Sequence, residues 1–398
     1  MRKFRIGSAF GIPIQIDLTF LLILPVFAYL IGRQVQQGIW LTPFSRLAGI
    51  TLDTAVLTAG NTPWILGAIC ALGLFGGVVL HELGHSVTAM RYGFPIESIT
   101  LWIFGGIAQL TDTPEDWKQE LLIAIAGPIV SIVLGILCWI ALRAVPAGLD
   151  AVQFVFGYLA IMNIVLAGFN LLPGFPMDGG RVLRALLARN RPFARATQIA
   201  AEVGKGFALL LGLFGLFQFN IILIGVAFFI YIGASSEAQQ TVMKAAFEGV
   251  TVRDVMTPVA EIDTVSRETS IADLIDRMFE ERHTGYPVVE NDELIGLVTL
   301  EDAREVQPVE REAFTVADVM TTDLMTIEAN AGAMEAFTEM QRNGIGRLLV
   351  TDDGEFVGLI TRSDLLTAFN IIQSSGAFET GGAGRRQDDV VDLGLRRG

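Results

Sequence analysis

Apolar residues fall along this chain in runs of about 20, the length a helix needs to cross the hydrocarbon of a bilayer, and polar residues mark the turns between them. The first run covers residues 12–31, with Asp17 near its start. A polar stretch over residues 32–62, holding Pro43 and closed by Pro63, predicts a loop with one short interfacial helix. Runs over residues 64–90, 118–142 and 152–172 predict three more spans, and residues 197–233 are long enough for two helices parted at Gln218-Phe219-Asn220. Six spans put both termini on one side of the membrane. Between the second and third spans, residues 96–110 are rich in β-formers, turn at Gly105-Gly106 and are too short to cross as a helix. They predict a β-hairpin at the membrane surface. Its edge either receives an unfolded substrate segment as an added strand or is a plain connection.

Charge sets the orientation. Arg2, Lys3, Arg5, Arg91, Lys118, Arg181, Arg184, Arg189, Arg191 and Arg195 fall on the side of the termini, and Arg33, Arg46 and Arg143 on the other. By the positive-inside rule the termini are cytoplasmic, in a multi-pass integral membrane protein, at the cell membrane if the source is prokaryotic. The N-terminal Met-Arg-Lys-Phe-Arg resembles the start of a signal peptide, but with no small-residue cleavage site the run reads as a retained first helix. A mean hydropathy of +0.53 agrees with a large membrane portion. The acidity lies elsewhere: from Ser236 onward stand 31 acidic and 14 basic residues, against 11 and 14 before it. That shift marks a domain boundary near residue 236 and argues against nucleic acid as a partner.

The acidic part repeats itself. Val252-Arg-Asp-Val-Met256 returns as Val316-Ala-Asp-Val-Met320, Gly285-Tyr-Pro-Val-Val289 as Gly346-Arg-Leu-Leu-Val350, and Gly296 to Asp302 as Gly358 to Asp364. Two copies at a period near 60 residues predict an internally duplicated α/β module. The expected division is a membrane domain over 1–236, a linker over 237–249, repeats over 250–310 and 311–373, and a disordered tail over 374–398.

The chemistry sits in the second run. His81 and His85 stand four apart, so on a helix they lie on one face, one turn from each other, where two imidazoles can hold one zinc ion. Glu82 is placed beside them to act as general base on a water that the metal has acidified. A charged group at the bilayer centre costs about 2.5 to 3.5 kcal/mol, so polar side chains persist there when paired or metal-bound. A catalytic zinc takes three protein ligands and keeps one open position. The third histidine, His283, lies in the acidic repeat, and Cys70 and Cys138 sit singly in apolar runs and read as buried thiols.

A carboxylate must then complete the site. The fourth run ends in Asn170-Leu-Leu-Pro173-Gly174-Phe-Pro176-Met177-Asp178-Gly179-Gly180, where prolines and glycines break the helix. Irregular backbone at membrane depth survives where it lines a cavity, and Asp178 is the expected third ligand to one zinc per chain. The Asn170 amide is expected either to donate to the developing oxyanion or the substrate backbone, or to cap carbonyls freed by the break. An alternative class is a channel or transporter in which His81, Glu82, His85 and Asp178 form an ion pathway.

His-Glu-Leu-Gly-His at 81 to 85, Gly105-Gly106, Ala126-Gly127-Pro128 and Asn170-Leu-Leu-Pro through Asp178-Gly-Gly-Arg181 resemble the site-2 proteases, intramembrane zinc metalloproteases. The resemblance covers the membrane half. It implies cleavage of the transmembrane segment of a single-pass substrate: a membrane-tethered transcription factor, an anti-sigma factor or a signal-peptide remnant. Many members carry asparagine three positions after the Gly-Pro motif, where this chain has Ser131. The repeats resemble CBS domains. That resemblance implies an adenine nucleotide (ATP, ADP or AMP) bound through Thr299 with Asp302 and Thr361 with Asp364, or a pair that serves only as a platform for a homodimer. With CBS domains present, the alternative class is a CBS-gated channel. The expected fold is a polytopic α-helical membrane domain with a membrane-associated β-hairpin, followed by a soluble α/β tandem CBS domain.

Overall fold

Asp17 decides where the first membrane helix begins. Its carboxylate accepts from the Thr19 N–H at 2.9 Å and the Thr19 hydroxyl at 2.7 Å, an N-cap worth about 1 kcal/mol. Those bonds also hold the carboxyl below its ordinary range. Helix α1 therefore runs Leu18–Gln37, and the residues before it form a hairpin, β1 (Lys3–Ala9) with β2 (Ile12–Asp17). The sequence had placed residues 12–17 inside the first span. They are a strand because Ile12, Ile14 and Ile16 alternate with Pro13, Gln15 and Asp17 at the two-residue strand period.

The computed structural model describes residues 3–38, 41–102, 105–110, 114, 116–290 and 293–374. Residues 375–398 of the expected tail lie outside them, and Gly105-Gly106, expected as the hairpin turn, are paired strand residues opposite Trp102 and Leu101. The chain divides into two units, Met1–Gln239 and Gln240–Gly398. In the first, the expected polar loop holds two short helices, α2 (Leu41–Ala48) and α3 (Thr54–Thr58), where the sequence predicted one. The long helix α4 (Thr62–Arg91) follows, then β3 (Ile96–Trp102) and β4 (Gly105–Leu110). These lead to α5 (Trp117–Ala144), α6 (Asp150–Asn170), the short α7 (Asp178–Ala188), α8 (Phe193–Phe217) and α9 (Ile221–Ala246). Six of these helices, α1, α4, α5, α6, α8 and α9, are long and apolar enough to cross a membrane. Leu22, Leu72, Ile140, Leu210 and Phe217 stand well exposed on them, a pattern that suits lipid as the surrounding solvent.

The expected hairpin is half of a larger sheet. Its order is β1-β2-β3-β4, with β2 and β3 parallel through Ile14 opposite Ile99, and β4 at one edge. Residues 237–246, read from the sequence as linker, are the last turns of α9.

In the second unit the elements are α10 (Val252–Val255), β5 (Thr257–Pro258), α11 (Ile271–Glu281), β6 (Gly285–Glu290), β7 (Glu293–Thr299), α12 (Leu300–Glu305), α13 (Val316–Val319), β8 (Thr326–Glu328), α14 (Ala333–Asn343), β9 (Arg347–Asp352), β10 (Glu355–Thr361) and α15 (Arg362–Ser374). Each sequence repeat lends its opening turn to the other. The Val252 and Arg253 N–H groups donate to Ala331 and Ala329, while those of Val316 and Ala317 donate to Thr269 and Arg267. The two cores divide the same way: Val252 is buried with Ile327, Val350 and Ile360, and Val316 with Leu274, Val288 and Val298.

Candidate metal centre

α4 is apolar nearly throughout, which is why the break in pattern at His81, Glu82 and His85 carries information. The two imidazoles lie one turn apart on the face turned toward α5, and they are 3% and 5% exposed. Nε2 of His81 and Nε2 of His85 are 3.2 Å apart, and each lies 3.1 Å from Asp178 Oδ2. Asp178 reaches them as the first residue of α7, delivered by the irregular stretch after α6.

The residues fit a zinc ion on two grounds. Ligand atoms bonded at about 2.0–2.1 Å in a tetrahedron stand about 3.3 Å from one another, close to the spacing found. The second ground is the donor count. His85 Nδ1 is 2.7 Å from the Ile123 carbonyl oxygen, which only accepts, so Nδ1 carries the hydrogen and a neutral ring presents a lone pair at Nε2. Lone pairs and a carboxylate oxygen converging at this distance repel unless a cation or a shared proton stands among them. His81 Nδ1 is paired with the fully buried Ser131 Oγ at 2.9 Å. Both rings are thus oriented from behind by α5, as the rings of metal-binding histidines usually are.

Room for the rings comes from Gly127. A Cβ there would collide with His85 Nε2 and lie 2.7 Å from His81 Nε2. Glu82, half-buried on the neighbouring face of α4, lies against Gly106 of β4, where a Cβ would strike its Cγ. The sheet edge and the general-base candidate therefore adjoin.

The other expected site residues fall elsewhere. The Asn170 amide donates to the Leu166 carbonyl at 3.0 Å, one turn back in its own helix. His283 is solvent-exposed and 3.7 Å from Asp263. Asp263, Glu281 and His283 form a second grouping of potential ligands, all exposed, but Glu281 already accepts from Arg277 and Tyr286 at 2.8 and 2.7 Å. Cys70 and Cys138 are buried free thiols. Asp302 Oδ2 accepts from the Thr299 N–H and hydroxyl at 2.7 Å each, and Asp364 Oδ2 from those of Thr361 at 2.9 and 2.8 Å. Asp254 with Thr251 and Asp318 with Thr315 make the same capping bonds. The Thr-x-x-Asp pattern alone thus reports a helix start.

Sequence reasoning took Ser131 as a departure from a family pattern, whereas it supports His81 directly. It did not find Gly127's clearance or the Ile123 carbonyl. The Ala126-Gly127-Pro128 motif marked the position of Gly127 without its role, and spacing along α5 was the remaining hint: Ile123, Gly127 and Ser131 lie four apart on one helix face.

The profile of peptidase family M50 matches residues 69–149 and 145–211, and that of the CBS domain matches residues 252–308 and 316–371. A zinc metalloprotease of Methanocaldococcus jannaschii is 34% identical over 93% of this chain and 96% of its own length. The chain belongs to peptidase family M50. This M50 protease is also 34% identical to Rip3 of Mycobacterium tuberculosis, over 81% of the chain and 87% of Rip3. A solved site-2 protease from Methanocaldococcus jannaschii is 38% identical, covering 60% of this chain and 95% of that one at a TM-score of 0.42. By the family profiles and the full-length relative, the M50 protein is a zinc metalloprotease of the site-2 protease family with tandem CBS domains, and its six apolar helices make it a multi-pass membrane protein.

Proposed function

We propose that this M50 protease cleaves transmembrane segments of membrane-anchored substrates in regulated intramembrane proteolysis, with His81, His85 and Asp178 holding one zinc. The observation that carries the reading is the convergence of three ligand atoms within 3.1–3.2 Å inside an apolar helical unit. Bound zinc supplies an acidified water and polarises the scissile carbonyl. Glu82 takes the proton from the attacking water and returns it to the leaving amine. The substrate segment, unwound, adds as a strand to the β4 edge beside Glu82. The Asn170 amide exchanges its bond to Leu166 for one to the substrate backbone or the oxyanion. The termini face the cytoplasm, where the basic residues gather, and the substrate is a transcription factor, an anti-sigma factor or a signal-peptide remnant. The test is cleavage of a helix-destabilised transmembrane segment by the full-length protein in detergent. Chelation should stop it and added zinc restore it; cleavage unaffected by chelation would exclude the mechanism.

The CBS pair, a module that also suits homodimerisation, binds ATP, ADP or AMP. Asp302 and Asp364 accept from ribose hydroxyls through the oxygen not used in capping. Charge-assisted hydrogen bonds contribute about 1.5–3 kcal/mol. Asp302→Ala and Asp364→Ala are therefore expected to weaken ATP binding, by calorimetry on the full-length protein, roughly ten- to hundredfold. Asp318→Ala, which loses a cap alone, should bind as native. Equal ATP affinity in all three would remove the nucleotide reading and leave the homodimer platform.

A further inference from the structure

α7 begins with the metal-site carboxylate itself, and Met177 before it supplies no side-chain cap. With Asp178 turned to the histidines, the helix that carries it must be located by other contacts. Arg184 provides them. It is 4% exposed, and its Nε and Nη2 reach Glu120 Oε1 of α5 at 2.6 and 2.5 Å. Nη1 reaches Glu237 Oε1 of α9 at 2.6 Å. The rings of Phe175 and Phe193 lie 4.9 and 4.7 Å from the guanidinium carbon, close enough for cation–π attraction. The group is held by bonds along its edge and by two aromatic rings.

Desolvation offsets much of the attraction in a buried ion pair, so such a pair is a weak source of stability and can serve instead to fix position. Glu120 agrees with that use. It is 1% exposed, and its Oε2 has no hydrogen-bond partner among the described residues, a cost that a purely stabilising contact would not carry. Its place on α5 is also telling. Glu120, Ile123, Gly127 and Ser131 are spaced three and four apart, so they share one helix face. Ile123 fixes His85, Ser131 fixes His81, and Gly127 clears space for both rings.

We infer that the Glu120–Arg184 pair is the positioning element for the third ligand: one face of α5 orients both histidines directly and Asp178 through Arg184 and α7. The inference rests on Asp178 being a ligand. It is tested on the full-length protein in detergent by chelator competition for zinc and by the ligand-field absorption of the cobalt(II)-substituted form. Arg184→Lys keeps the charge but loses the fork, and Glu120→Gln keeps the shape but loses the charge.

Each is expected to weaken zinc binding roughly 10- to 100-fold, the range for lost outer-shell support, and to shift the cobalt bands. Glu237→Gln, on the more exposed arm, should do less. Native zinc affinity and native cobalt bands in a folded Arg184→Lys or Glu120→Gln protein would overturn the inference, even if its Tm falls. Should both misfold, the charge-free pair Glu120→Gln with Arg184→Met decides by the same two readouts. Asp178→Ala run alongside separates the two failures. If it keeps the native cobalt spectrum, the ligand assignment is wrong; if it loses the metal while the pair variants keep it, only the positioning role is wrong.

Discussion

Gly127→Ala is expected to empty the metal centre. The added Cβ would overlap His85 Nε2 and stand 2.6 Å from His85 Cε1 and 2.7 Å from His81 Nε2. Two routes could relieve the overlap. α5 could retreat, but Gly84 of α4 already packs so closely that a Cβ on it would be 2.9 Å from the Ala126 carbonyl oxygen, so the two helices meet backbone to backbone. Overpacking of that kind costs about 1–3 kcal/mol, and the retreat would also withdraw Ile123 and Ser131 from the rings. Alternatively the imidazoles could rotate, which breaks the convergence at Asp178 Oδ2. A displacement of about 1 Å at a catalytic group can cost about 100-fold, so zinc affinity and cleavage should both fall by at least that order. Gly76→Ala, on α4 with no atom within 4 Å of its added carbon, is the matched control and should retain zinc and activity. Metal analysis and the cleavage assay read both. A Gly127→Ala protein with a full complement of zinc would mean that the rings sit elsewhere.

Glu82→Gln is expected to separate binding from chemistry. Glu82 lies outside the group of potential ligand atoms formed by His81, His85 and Asp178, and glutamine fills the same space against Gly106. The neutral amide cannot take a proton from water at working pH. Loss of a general acid–base group typically costs about 10²- to 10⁴-fold, and the fall should appear in kcat more than in KM. A drop confined to KM would make Glu82 a substrate-binding group.

The candidate centre stood out in the sequence because the three proposed ligands are polar residues in apolar or broken surroundings, and the structure brings them together. His81 and His85 interrupt a membrane helix, and Asp178 follows a break that no regular helix survives. What escaped it depends on contacts between distant segments. Residues 12–17 alternate as a strand should, but the apolar run beginning at Leu18 overwhelms that alternation in any window of span length. Arg184 was counted among the positive charges that set orientation, yet it is buried between Glu120 and Glu237. Its partners lie 64 and 53 residues away, too far for a local pattern to pair them. Ser131 and Gly127 were visible as motif positions, but they sit in a helix whose residues are nearly all apolar or small, where the pattern alone does not say that their face meets the histidines. In the second unit the repeats were legible as copies, while the exchange of opening turns was not, because the two copies are near equivalents and either partner satisfies the same pattern.

The measurement that tests the central claim most directly is the zinc content per chain of Glu82→Gln and Asp178→Ala, purified in parallel with the native protein and assayed for cleavage. The expected result is one zinc and no cleavage for Glu82→Gln, and neither zinc nor cleavage for Asp178→Ala, with both present in the native protein. An Asp178→Ala protein that holds one zinc and cleaves would contradict the assignment of the third ligand.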